Sequence, residues 1–232
     1  MVELLFEYQL KRSARRKTVA IKVHQRSITV YAPHYVPKKQ LDLWLVEKRD
    51  WVNSQLDKQI NIADSKQYPL ETHKILIFSN LIDITFEHAL HSQVIEHENT
   101  LSVLCSSRVS HKKLKYKTLL EAYLTEKLGL YIDMRLAHFC KLMEEPLPND
   151  LRIRIYKRKW GSCNSKRELT FNLLLIGAKK SIIDYVIVHE LAHLRHLDHS
   201  RVFWQRVAKF YPDHKTASDW LKNNGQSLQW EF

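Results

Sequence analysis

His189-Glu190-Leu191-Ala192-His193, with His199 six residues further on, decides how this chain reads. Two imidazoles four residues apart on a helix share one face, one turn above the other. The Glu directly after the first His reaches the same side of a bound ion. Two His ligands beside a carboxylate that takes a proton from water is the arrangement of zinc hydrolases. What precedes the motif supports a helix. Ser181-Ile182-Ile183-Asp184 has the Ser-x-x-Asp form of a capping box, and Tyr185-Val186-Ile187-Val188 is apolar throughout. A buried helix that carries two histidines and a glutamate needs compensation, because an unpaired buried polar group costs about 1–3 kcal/mol. Metal coordination supplies it.

A third ligand must come from His196 or His199. On a continued helix His196 lies about 20° around the axis from His189 but ~10.5 Å along it. Three ligands spread over two turns of a straight helix reach one ion only with strain. His199 becomes useful if the chain turns first, and Asp198 favours a turn. Ser200 can then N-cap a new helix through Phe203, Val207 and Phe210 to Pro212. The spacing therefore favours His199, although His196 occupies the midpoint where long-spaced zinc proteases carry glycine.

Working outward, residues 151–175 read as a hairpin, with a strand from Leu151 to Trp160, a turn at Gly161–Ser165 and a partner strand from Glu168 to Leu175. Ser162 and Cys163 have no acid and base placed beside them, so they read as turn residues. Asn172 reads as a hydrogen bonder of the hairpin, and Trp160 and Trp204 as core or wall. Glu144 to Asp150, with Pro146 and Pro148, reads as a boundary. Residues 112–143 predict one long helix or two broken at Gly129. Strands are expected at 74–78 and 81–87, joined at Ser79-Asn80, and near 101–105. At the front, strands at 3–10, 18–23 and 27–31 precede an amphipathic helix from Lys38 to about Ile60, with a turn at His24-Gln25-Arg26. Trp44 and Trp51 on that helix read as core contacts. The expected class is α+β: a β-rich region with one long helix over 1–110, then a catalytic domain over 111–232.

Composition sets outer limits. No apolar run approaches the ~18 residues a membrane span needs, and no signal pattern opens the chain. Cys105, Cys140 and Cys163 are too few and too scattered for a disulfide framework or a Cys-based metal site, so a cytoplasmic protein with reduced thiols is expected. The net charge is +12, with clusters at Lys11-Arg12, Arg15-Arg16-Lys17 and Lys157-Arg158-Lys159. Such a field attracts nucleic acid, nucleotides or acidic protein surfaces, although no nucleic-acid-binding motif accompanies it.

Trp160-Gly161-Ser162-Cys163, Asn172, Asp184-Tyr185-Val186, the His189–His193 motif and His199-Ser200 with Phe203-Trp204 together resemble the YgjP-like metallopeptidases, relatives of the SprT-like zincins. Arg12-Ser13 with Arg15-Arg16-Lys17, and Trp220-Leu221 with Gly225, extend the resemblance over nearly the whole chain. It implies a zincin-like catalytic domain with one zinc ion on His189, His193 and His199, and Glu190 as general base. The leading expectation is therefore peptide-bond hydrolysis of a polypeptide substrate. An oxyanion donor is expected among Tyr156, Arg154, Tyr211 and His214. Two rivals remain open. One is a metal-dependent nucleotide phosphohydrolase or pyrophosphatase, with phosphates on Arg158, Lys157 or the Arg15–Lys17 cluster. The other is a basic module docking on nucleic acid with a structural zinc, closed by a fourth ligand such as His196 or His214.

Overall fold

In Ser27–Ala32 the residues Ile28, Val30 and Ala32 are buried while Ser27 is exposed and Thr29 and Tyr31 are half-buried, and this period of two suits the centre of the first sheet. In the computed structural model, residues 6–24, 27–56 and 66–232 are described. Strand β1 (Gln9–Arg12) pairs parallel to β3 (Ser27–Ala32), and β2 (Ala20–His24) pairs antiparallel to its other side. Helix α1 (Lys38–Glu47) follows, stops at Lys48, and a second helical run covers 49–56. Ile28, Val30, Leu45 and Val52 form the small core of this unit, with Trp44 packed against it. Trp51 is 47% exposed, so it is not the core contact its helical spacing predicts. Arg12 donates to the carbonyls of Pro33, His34 and Val36, which makes it a tie within the unit rather than part of a free basic cluster. The start of the strand expected at 3–10, the turn residues Gln25 and Arg26 and the helix end near Ile60 fall outside the described residues.

The chain divides into two compact units, Met1–Ser65 and Lys66–Phe232. The sequence places that division at 110/111. It lies earlier because the second sheet packs on the long helix that follows it. That sheet has the order β4-β5-β7-β6, with β4 (Lys74–Ile77), β5 (Asn80–Ala89), β6 (Gln93–Glu96) and β7 (Thr100–Ser106). The β4–β5 turn residues are Phe78 and Ser79, both with positive φ, one position earlier than expected. β6 has mostly exposed residues and only four positions, too few for alternation to show it.

Helix α2 (Lys112–Met143) runs unbroken for 32 residues, about 48 Å. A Cβ at Gly129 would meet only Ile153 at an ordinary 3.5 Å, so this glycine breaks nothing. Leu120, Leu124, Leu128, Ile132 and Leu136 recur every four residues, a stripe that drifts around the helix. The helix accordingly packs against β6 and β7 and against the central helix α3 (Lys180–Ala192). Glu144–Asp150 is not a domain boundary; Glu145 there is 8% exposed.

The third sheet has the order β8-β10-β9. β8 (Asp150–Arg154) is parallel to β10 (Glu168–Asn172), and β9 (Gly161–Cys163) is antiparallel to it. The hairpin partner of β10 is therefore β9, which the sequence reads as a turn. The true reversal lies at Asn164–Arg167, where Arg167 has φ 61° and Asn164 Oδ1 accepts from the backbone of Lys166 and Glu168. A 3₁₀ segment (Leu173–Gly177), α3, α4 (Arg201–Phe210) and α5 (His214–Asn224) complete the α+β unit.

Helix α3 does not begin with a capping box. Lys179 holds the N-cap position, and Asp184 is taken by α2 instead. Arg135 Nε and Nη2 donate to the two Asp184 oxygens at 2.9 and 2.7 Å, and Tyr131 Oη donates at 2.8 Å. A bidentate guanidinium outcompetes the helix's own amides for a carboxylate. Asp184→Asn should weaken this tie and lower the unfolding free energy by about 1–3 kcal/mol, read by urea denaturation. Ser181→Ala, the other half of the supposed capping box, should leave the midpoint nearly unchanged.

Candidate metal centre

Helix α3 runs within the core as far as Leu191 and Ala192, carries His189 and Glu190 on its last turn, and stops one residue before His193, which holds the C-cap position. The chain bends over residues 193–199, and Ser200 takes the N-cap position of α4. Asp198 Oδ1 accepts from Ser200 N at 3.3 Å within that bend. The turn is also built on the His196 backbone, whose carbonyl oxygen lies 2.9 Å from His193 Nδ1. That contact needs the proton on Nδ1 and leaves a lone pair on Nε2. His196 thus contributes its carbonyl, and its ring stays outside the cluster.

His189, His193 and His199 each offer a ring nitrogen, and these atoms lie within 4.8 Å of one another. His189 Nε2 and His199 Nε2 are 3.1 Å apart. Two imidazole nitrogens held ~2.0–2.1 Å from one tetrahedral ion would stand about 3.3 Å apart, so the donor set fits a metal ion. Its electrostatics fit too. Burial, then the His193 and His199 rings, push His189 down to about 3. Burial also lowers His193. Both rings are neutral at neutral pH, the form that binds a metal. Phe203 of α4 is fully buried against all three rings, with centroids 4.5–4.9 Å away, and fixes their orientation from behind. Among the described residues no fourth side chain joins the group, and neither His196 nor His214 closes it.

Glu190 is 4% exposed, and its Oε2 has no hydrogen-bond partner among the described residues. Burial pushes its carboxyl up to about 8, partly opposed by Lys159. Gly161 on β9 makes room for it: a Cβ there would sit 2.4 Å from Glu190 Oε1 and 2.7 Å from Cδ. The bend is anchored on its far side by Glu145. Arg195 in the bend and Arg206 in α4 both donate to Glu145 Oε1, and Arg206 also reaches the Met143 carbonyl at 2.9 Å.

The three histidines and Glu190 share the wall of a cavity of about 530 Å³ with Tyr185, Cys163, Ser218, Lys159 and Lys222. Burial and the nearby Glu190 push the Cys163 thiol up to about 11, which leaves it protonated and unreactive at neutral pH. None of the four residues expected as oxyanion donors lies on this wall. Tyr211 Oη donates to the Ser181 carbonyl at 2.8 Å. The His214 ring stacks on Trp204, Arg154 is exposed on β8, and Tyr156 lines a neighbouring cavity. Sequence proximity to the motif does not predict which way a loop faces. The places of Tyr185, Lys222, Gly161 and Glu145 around the site depend on contacts between distant parts of the chain, although one of only four glycines next to Trp160 was a usable signal.

A family model described as YgjP-like, metallopeptidase domain matches residues 17–224. The chain belongs to the YgjP-like family and is, at that level, a metal-dependent peptidase with a zincin-like catalytic domain. The crystal structure of the metallopeptidase zymogen of Pyrococcus abyssi abylysin is similar at 25% identity, over 41% of this chain and 95% of that one, with a TM-score of 0.39. No curated protein matches the chain.

Two outcomes follow from the packing and charge of this centre. Gly161→Ala should cost about 1–3 kcal/mol in urea denaturation, and the cost should shrink in the double variant with Glu190→Ala, because the clash is with that side chain. In metal-free protein, His189 and Glu190 pull stability in opposite directions. The low His189 value removes stability as pH falls from 6.5 toward 3, whereas the high Glu190 value removes it as pH rises from 4.5 to about 8. Between pH 6.5 and 8 Glu190 acts alone of the two, so the melting temperature should fall there and Glu190→Gln should flatten the fall.

Proposed function

We propose that the chain hydrolyses peptide bonds at one zinc ion held by His189, His193 and His199, with Glu190 as general base. The observation that carries the reading is that three clustered imidazoles and one unpaired buried carboxyl converge on a single cavity. Three nitrogen ligands with an open position suit zinc among the common divalent ions. A bound ion there would polarise a carbonyl oxygen and make a water easier to deprotonate.

The chain's own residues supply the rest. The His196 carbonyl holds the proton of His193 on Nδ1 and keeps Nε2 facing the cluster. Glu190 takes a proton from the attacking water on a carboxyl oxygen and returns it to the leaving amine nitrogen. No hydrogen bond to Oε2 lowers its basicity, and burial raises it. β9 pairs with β10 on one side only, so its other edge can receive an extended substrate as an added strand beside Glu190. The free cysteines fit a cytoplasmic setting.

Lys159 and Lys222 on the same wall favour a second reading, hydrolysis of a phosphate ester such as a nucleotide. The two readings separate on substrates. Wild type, Glu190→Gln, His199→Ala and His196→Ala should be compared for metal content and for hydrolysis of a protein and of a nucleotide panel. Glu190→Gln should keep its zinc and lose roughly a hundredfold or more in protein hydrolysis. His199→Ala should lose zinc, and His196→Ala should keep it because only its backbone is used. Full turnover by Glu190→Gln, or zinc lost only in His196→Ala, overturns the assignment; metal-dependent hydrolysis confined to nucleotides selects the second reading.

A further inference from the structure

A second cavity of about 290 Å³ adjoins the cleft, and the two share Lys159, Trp160, Leu221 and Lys222. Lys157 and Arg158 line the second cavity, and no carboxylate does. In the cleft itself Glu190 is the only carboxyl among the described residues. Two adjoining cavities with a shared wall therefore make a depression lined by four cations and, among the described residues, by no acid beyond the proposed general base. The ion pairs of this unit use other cations, and among the described residues none includes Lys157, Arg158, Lys159 or Lys222.

The loop that presents three of these cations is fixed. Asn172 is 2% exposed and spends its whole amide on that loop and the segment after it. Its Nδ2 donates to the Tyr156 and Lys159 carbonyls, both at 2.9 Å. Its Oδ1 accepts from Tyr156 N at 3.3 Å and Leu174 N at 3.2 Å. Trp160, at the end of the loop, closes against Gly225, where a Cβ would meet its ring at 2.4 Å. The Lys159 ammonium lies 4.3 Å from the centre of the Tyr156 ring. Cations held together on a rigid loop repel one another, and an anionic ligand relieves that repulsion.

We propose that this depression is a subsite for an acidic side chain, Asp or Glu, of a peptide lying in the cleft. The inference rests on the peptidase reading and names its substrate class. The cavity's volume suits one side chain and its carboxylate, which Arg158 can grip with two parallel N–H donors while the lysines act as point charges. A polynucleotide instead engages a groove that follows several successive phosphates. Trp160 and Leu221 line both cavities, so the subsite adjoins the cleft that holds the three histidines and Glu190.

The test uses the full-length, zinc-loaded Glu190→Gln protein and fluorescein-labelled peptides of equal length, one carrying Asp and Glu and one carrying Lys at the same positions. Fluorescence anisotropy should show the acidic peptide binding about tenfold or more tightly, and Lys157→Glu/Arg158→Glu should abolish or reverse that preference. Both residues are exposed, so the double variant should retain the wild-type circular dichroism spectrum. Equal binding of the two peptides overturns the inference, as does an unchanged preference in the double variant. It is also overturned if a single-stranded oligonucleotide of equal charge binds more tightly than the acidic peptide and is lost in the same variant. Acidic-peptide preference in binding, with no peptide cleaved by zinc-loaded wild type, sustains the subsite and overturns the peptidase reading alone.

Discussion

Strand β9 approaches helix α3 so closely at Gly161 that a single methyl group would overlap the Glu190 carboxyl. The requirement is spatial: no glycine in the described chain has positive φ, so backbone freedom is not what position 161 needs. The contact fixes one whole wall of the cleft. β9 is held by β10, β10 by β8, and the last residue of β10, Asn172, ties down both the cationic loop and the 3₁₀ segment leading into α3. Strand, loop and helix therefore form one closed circuit of chain, and Glu190 lies where the circuit meets itself.

The opposite wall follows different rules. Helix α3 must end for His199 to come back toward His189, and ending a helix frees carbonyl groups that need partners. The His189, Leu191 and Ala192 carbonyls accept from the backbone N–H groups of residues 193–196, and the His196 carbonyl within the bend orients His193. Arg195 and Arg206 hold the bend and α4 in place by clamping Glu145 just after the end of α2. A long rigid helix is thus connected at both its middle and its end to the metal-site segment, first through Arg135 and Asp184, then through Glu145. Phe203, packed against all three imidazoles, is oriented by the same α4 that Arg206 anchors.

What was legible in the sequence was local. Helical spacing put His189 and His193 on one face, the residues from Asp198 to Ser200 announced a turn, and the α+β order of elements could be read from hydrophobic periodicity. What was not legible depended on residues far apart in the chain. Asp184 sits where a capping box would put it, yet Arg135, 49 positions earlier, takes it. Gly161–Cys163 is three residues long and rich in turn formers, and it is a strand only because β10 lies beside it. Glu145 sits between a helix end and two prolines and reads as linker until two arginines more than 45 positions away reach it. The division at residue 65 was hidden for the same reason, since it depends on which helix the β4–β7 sheet packs against.

Two buried carboxyls, Glu145 and Glu190, show how the same side chain is given opposite work. Glu145 receives two guanidiniums, and removing a partner from such a buried pair is costly because the remaining charge is left without compensation. Its place between two guanidiniums makes it an anchor for the bend and α4. Glu190 is buried too and, among the described residues, has no cation within ion-pair distance; Lys159 opposes its burial only at longer range. Its proton affinity is raised by desolvation, and a positive charge brought into the cavity would lower it. An acid in that condition changes its charge when a cation arrives, which is the property a general base beside a metal requires. The pairing of one carboxyl and the isolation of the other argue for the catalytic assignment independently of the histidine spacing that first drew attention to the helix.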